Sequence, residues 1–169
     1  GEVQFGKAIS SMTSSETKVT VYGEESQLAK IEYLPVEVDV TNLSENKTFN
    51  VSLQTPQGLR QLSTNSTKIT ISLGEEETKE INNVMIETTN LDPNYKAAAI
   101  GASSIKTTVI VKGTKEVLNS IDESKIKAIV DLTGYTEGDH EVTITVTGDD
   151  AKATYTPKTT KIKIRISKK

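Results

Sequence analysis

Apolar and polar residues alternate along most of this chain, and the alternation breaks in the same way twice. Between Thr107 and Thr133, Val109 and Val111 are interleaved with Thr108, Ile110 and Lys112, a period near two that predicts a strand. Gly113 gives the chain its exit. Leu118 and Ile121 follow, three apart, so that one turn of helix aims both at a single surface. Ala128, Val130 and Leu132 then alternate again. The stretch Thr17–Thr41 repeats this order: Val19, Val21, Gly23, Leu28, Ile31, Val38, Asp39, Val40 and Thr41 match Val109, Val111, Gly113, Leu118, Ile121, Val130, Asp131, Leu132 and Thr133. The glycines stand 90 positions apart and the aspartates 92, so the second copy carries two more residues after its helix. A motif recurring at the spacing of a small domain marks a duplicated module.

The remaining pattern fills in both modules. Val3–Ile9 reads as a short strand and the polar run Ser10–Ser15 as a loop; Lys18–Tyr22 is a strand and Glu24–Ile31 the helix. Pro35 disfavours helix at Leu34, and Val36, Val38 and Val40 predict a half-buried strand. Further strands are expected around Phe49, Val51 and Leu53 and over Thr67–Leu73, with a turn at Pro56–Gly58 between them. Gly74 followed by three glutamates is the expected boundary between domains 1–74 and 75–169. In the second domain, strands are expected at Lys79–Thr88, at Tyr95–Ile100, through Val142, Ile144 and Val146, and through Ile162, Ile164 and Ile166. The predicted fold is all-β with one short helix per domain, near Glu24–Ile31 and Lys115–Ile121. Leu28 with Ile31, and Leu118 with Ile121, are expected to plug the open face of each sheet.

Composition narrows the chemistry. Aromatic residues make up 4% of the chain and Trp is absent, so each core is expected to be thin and built of Val, Ile and Leu, which argues against a deep pocket. The absence of Cys excludes disulfides, thiolate metal sites and Cys nucleophiles. A net charge of −3 gives no general attraction for nucleic acid. No run approaches the roughly 18–20 apolar residues of a membrane-spanning helix. His140 is the single histidine, lies beside the Gly138–Asp139 turn without a G-x-S-x-G elbow anywhere, and reads as an exposed strand-end residue. Asp39 and Asp131, each two residues before a threonine (Thr41, Thr133), read as turn-binding devices at strand ends. Glu75–Glu77 and Asp149–Asp150 lack the spacing of a calcium loop. Lys158, Lys161, Lys163, Arg165, Lys168 and Lys169 form a basic terminal strand, read as a solvent face that also discourages edge pairing, with anionic lipid or a cell-wall polymer such as teichoic acid as the alternative partner. No catalytic, cofactor-binding or metal residue is expected.

The order V-x-V-x-G, L-x-x-I, V-D-[VL]-T, then T-K-I-x-I, present at Val19 to Ile71 and again at Val109 to Ile164, resembles the YbbR domain. The second copy looks complete from about Lys79, and the first looks cut on its N-terminal side. The resemblance implies two small, strand-rich, elongated tandem domains. It implies the extracytoplasmic part of a non-enzymatic regulator in a Gram-positive bacterium, anchored by an upstream membrane helix. The implied partner is a membrane diadenylate cyclase, and hence cyclic di-AMP synthesis and envelope homeostasis. The alternative is a structural or adhesive surface repeat. On either reading the residues that matter are the structural motif itself: Gly23, Leu28, Ile31, Asp39, Thr41, Gly113, Leu118, Ile121, Asp131 and Thr133.

Overall fold

A computed structural model describes residues 1–101 and 105–169. The chain divides into two compact units, Gly1–Gly74 and Glu75–Lys169, both dominated by strands. In unit 2 the strands are β6 (Glu77–Thr89), β7 (Tyr95–Ala99), β8 (Lys106–Gly113), β9 (Lys127–Asp131), β10 (Gly138–Thr143), β11 (Thr145–Thr147), β12 (Thr154–Pro157) and β13 (Lys161–Lys168). They make a five-stranded sheet, order β11-β9-β6-β8-β12, and a three-stranded sheet, order β10-β13-β7. The predicted Val142–Val146 strand passes between the sheets: β10 pairs with β13, β11 pairs with β9, and Ile144 sits buried at the crossing. Pro157 lies in β12, an edge strand, where its missing N–H costs no ladder bond.

Strand β6 joins the two halves of that sheet. It pairs antiparallel with β8, Ile81 opposite Val109, and parallel with β9, Ile86 opposite Ala128 through Thr89 opposite Asp131. Between Ile81 and Val84 the register shifts, and Asn83 takes a left-handed φ of 63° that Asn tolerates better than a branched residue. A bulge of this kind re-aims the side chains that follow. Ile81 joins one buried cluster, with Val109, Val111, Val117, Leu118, Ile121 and Ile126. Ile86 packs on the other, which includes Ala128, Val130, Leu132, Val142, Ile144 and the isoleucines of β13, and Val84 touches both.

Helix α2 (Lys115–Ser120) is far shorter than the ~12–15 residues an isolated helix needs. Thr114 caps it, its hydroxyl accepting from the Val117 N–H, and the buried Val117 and Leu118 hold it to the sheet. Ile121 lies just past the helix end in extended backbone, yet is buried in the same cluster. A short 3-10 turn, Glu123–Lys125, leads into β9.

Unit 1 contains β1 (Lys7–Ser14), β2 (Val21–Gly23), α1 (Glu25–Leu28), β3 (Lys47–Ser52), β4 (Leu59–Leu62) and β5 (Ser66–Glu75). Its sheet β1-β5-β3 repeats the order β7-β13-β10 of unit 2, and β2 pairs with β4 alone. Several expectations fail here. Ser10–Ser14 is strand rather than loop, because backbone pairing beside β5 carries it despite its polar side chains. Val36–Val40 is not a strand, and Leu28 and Ile31 are half-buried rather than core. The cause is common: in unit 2 the equivalent segments lie on either side of β6, and unit 1 as described has no strand in that place. An open groove, rather than a deep pocket, lies where these segments do not close over one another.

Leu118→Ala should therefore cost about 2–5 kcal/mol, the range for a buried leucine, and Leu28→Ala roughly half of that or less. Urea unfolding with a probe in each unit checks the contrast; equal losses would show that α1 is as deeply held as α2.

Candidate functional site

The recurring motif is the candidate site, because it gathers the side chains that both modules share. Gly113 ends β8 opposite Glu77. A Cβ there would stand 3.4–3.5 Å from Val117 and Leu118, so glycine lets α2 sit close against the strand. Gly23 in unit 1 meets mainly the paired strand β4, where a Cβ would come within 2.7 Å of the Leu59 side chain, and the helix residue Leu28 stands farther off at 3.7 Å. Neither glycine adopts a left-handed φ; close approach is their role.

Asp131 ends β9, and one carboxylate oxygen accepts from the Thr133 N–H (3.0 Å), the Thr133 hydroxyl (2.7 Å) and the Asn90 side-chain amide (3.0 Å). Asp39 repeats the arrangement with the Thr41 N–H (2.9 Å) and hydroxyl (2.5 Å). After each threonine comes a left-handed residue, Asn42 (φ 57°) or Gly134 (φ 77°), and the chain turns identically, Leu43 N–H to Val40 carbonyl and Tyr135 N–H to Leu132 carbonyl. The threonine hydroxyls hold both aspartates below the usual carboxylate range; Asn90 and then the Thr133 amide add to the effect at Asp131, and the Thr41 amide does so at Asp39. The same device recurs at Asp122 and Ser124, outside the shared motif, so it is turn chemistry and not a catalytic dyad.

His140 is held locally, its Nε2 2.8 Å from the Thr136 carbonyl and its ring edge-on to Tyr135. The basic strand β13 faces acids across its register. Arg165 makes a two-pronged bond to Asp139 at 2.6 and 2.8 Å, and Lys161 reaches Glu141 at 3.3 Å. Two of its basic side chains, Lys161 and Arg165, are thus paired with acids. Among the described residues no group of three or more His, Cys, Asp or Glu could hold a metal ion, and no helix is long and apolar enough to cross a membrane. Sequence reasoning missed Thr114, whose capping signal is a threonine three places before Val117, and Asn90, which no local pattern announces.

The sequence profile of the family described as YbbR-like protein matches residues 1–71 and 81–165. The CdaA regulatory protein CdaR of Bacillus subtilis is 25% identical over 149 residues, 88% of this chain but 31% of that protein, so the chain spans about a third of the length of this relative. Two solved structures are similar. A YbbR-like domain from Listeria monocytogenes has a TM-score of 0.49 at 17% identity, covering 55% of this chain and 95% of that one. A YbbR-like protein from Streptococcus pneumoniae TIGR4 has a TM-score of 0.48 at 23% identity, covering 56% and 48%.

The depressed aspartates carry a pH signature. Their hydrogen bonds stabilise the fold fully above the ordinary carboxylate pKa of about 3.9, and that contribution is lost as pH falls through the lower folded value. Thr133→Val should unfold at lower urea than wild type at pH 7, and the difference should narrow as pH falls below about 3.9. A difference that keeps the same size through that fall would place the role of Thr133 elsewhere.

Proposed function

The chain belongs to the YbbR-like protein family, and from that premise we propose that it is a regulatory, non-enzymatic module of a membrane-anchored protein that modulates a membrane diadenylate cyclase. The observation that carries this reading is the 25% identity to the CdaA regulatory protein CdaR across 88% of the chain. The two units stand on the outer face of the plasma membrane of a Gram-positive bacterium, tethered by a helix outside this sequence, and influence cyclic di-AMP synthesis and with it envelope homeostasis. The ten motif residues serve by fixing the fold of each module rather than by contacting a substrate.

The geometry supports a module without catalysis. The shared carboxylates are spent on turn backbone, and the histidine on a carbonyl four residues away. Pairing of Lys161 with Glu141 and of Arg165 with Asp139 supports reading these two side chains of β13 as parts of the fold rather than as a wall-polymer contact.

Deleting residues 1–169 from the anchored parent protein, in cells that carry the cyclase, should change the cellular cyclic di-AMP level while the parent remains in the membrane. An unchanged level would contradict a regulatory role for these modules. Turnover of a nucleotide by the purified chain would contradict the non-enzymatic one.

A further inference from the structure

The edge strands of unit 2 are not alike. An edge presents unpaired N–H and C=O groups that invite another chain, and proteins guard it with charge, proline or brevity. β11 has three residues, and β12 has four and ends in Pro157. β10 carries Asp139, His140 and Glu141. β7 has none of these guards except Lys96; its sequence is Tyr-Lys-Ala-Ala-Ala. It pairs with β13 along its whole length and, among the described residues, with no strand on its other side. Beside that free edge lies a hollow of about 210 Å³, lined by Ile86, Ala97, Ala99, Ile105, Ile162 and Ile164. Ile162 and Ile164 are buried, whereas Ile105 is half exposed. The hollow is open because β6 also lacks a partner here. β8 pairs with β6 only as far as Met85 opposite Lys106, and the Ile86 N–H still reaches the Ile105 carbonyl at 2.9 Å. Beyond that point no strand lies on this side of β6 among the described residues.

The register shows which charges surround this edge. Ala97 and Ala99 stand opposite Ile166 and Ile164, on the buried face of the sheet; Lys96 and Ala98 stand opposite Ser167 and Arg165, on the outer face. Lys163 lies on that outer face too, next to Ile100, whose N–H bonds the Lys163 carbonyl at 2.9 Å. Lys106 follows Ile105 in the chain. Lys96, Lys106 and Lys163 are exposed, and none forms an ion pair among the described residues. Glu141, across from Lys163, is bonded to Lys161. Glu87 follows Ile86, but strand alternation puts it on the opposite face of β6. The surroundings of the edge are therefore apolar on the inner side and basic on the outer side.

We infer that the free edge of β7 and the hollow beside it form a docking site for an extended, acidic segment of a partner protein. The segment adds a strand to β7, the mode in which main-chain bonds give affinity and alternate side chains give specificity. Its inward positions are aliphatic and enter the hollow between Ala97, Ala99 and Ile86. Its outward positions are carboxylates, set beside Lys96 and, across the small Ala98, within reach of Lys163. Alternating aliphatic and acidic residues are the chemistry that matches both faces at once. The inference stands on the geometry of unit 2 alone and is independent of the regulatory reading.

The test titrates the isotope-labelled chain with a blocked heptapeptide, Thr-Glu-Leu-Glu-Leu-Glu-Thr, at up to millimolar concentration and follows backbone amides by NMR. The expected result is a set of shifts confined to Lys96–Ala99 and Ile86–Thr88, with an affinity that falls as salt rises. Replacing both leucines of the peptide by serine should abolish the shifts. Lys96→Glu, an exposed change that leaves the rest of the spectrum in place, should weaken binding about threefold to tenfold, because one exposed charge pair is lost and a repulsion takes its place. Four results would overturn the inference: no shifts at β7, equal binding by the serine peptide, equal binding by a peptide with lysine for glutamate, or an affinity untouched by Lys96→Glu. Shifts at β7 that grow with protein concentration in the absence of peptide would overturn it as well, since a second copy would then be the occupant.

Discussion

The second unit depends on one strand having two different neighbours. β6 bonds antiparallel to β8 along one edge and parallel to β9 along the other. Neither β8 nor β9 is otherwise adjacent to the other in the sheet. The parallel pairing needs a long crossover, and β7, β8 and α2 supply it. Because β6 also changes register at Asn82–Asn83, one strand feeds both apolar clusters. The six-residue helix, the glycine that lets it approach and the aspartate turn at the end of β9 all have their places set by this arrangement.

Unit 1 shows what the same motif does without that neighbour. Its sheet β1-β5-β3 forms in the repeated order, because each of those strands finds partners within residues 7–75. Val36, Val38 and Val40 keep their sequence pattern but lack a backbone ladder, whereas Val21 is held in β2 by its pairing with Leu62. Burial then fails with pairing, and α1, which has no capping side chain and no buried residue, shrinks to four residues. Pattern and register are separate requirements, and a strand needs both.

This explains what was legible in the sequence. The isoleucines of β13, the valines of β8 and the Leu118–Ile121 pair announce their burial by spacing alone, since their neighbours are all within the chain. The Asp131–Thr133 turn was legible because the chemistry is local to three residues. Val36–Val40 was misread because alternation reports which face a residue prefers, not whether an adjacent strand exists. Ser10–Ser14 was misread for the converse reason, since ladder bonds from β5 outweigh polar side chains. The bulge at Asn83 and the Asn90 contact depend on long-range pairing and leave no periodic trace. For function, the motif residues read as structural; the Asp39 and Asp131 carboxylates bond nearby turn groups, and the His140 ring lies against the Thr136 carbonyl.

The measurement that bears most directly on this account is native-state amide hydrogen exchange on the chain of 169 residues. Amides in well-paired core strands exchange only through large openings, whereas unpaired segments exchange at nearly local rates. The account predicts slow exchange for Val109, Val111, Ala128 and Val130 and fast exchange for their counterparts Val19, Val36 and Val38. Comparable protection in the two sets would contradict it, because the first module would then be closed without a strand in the place of β6.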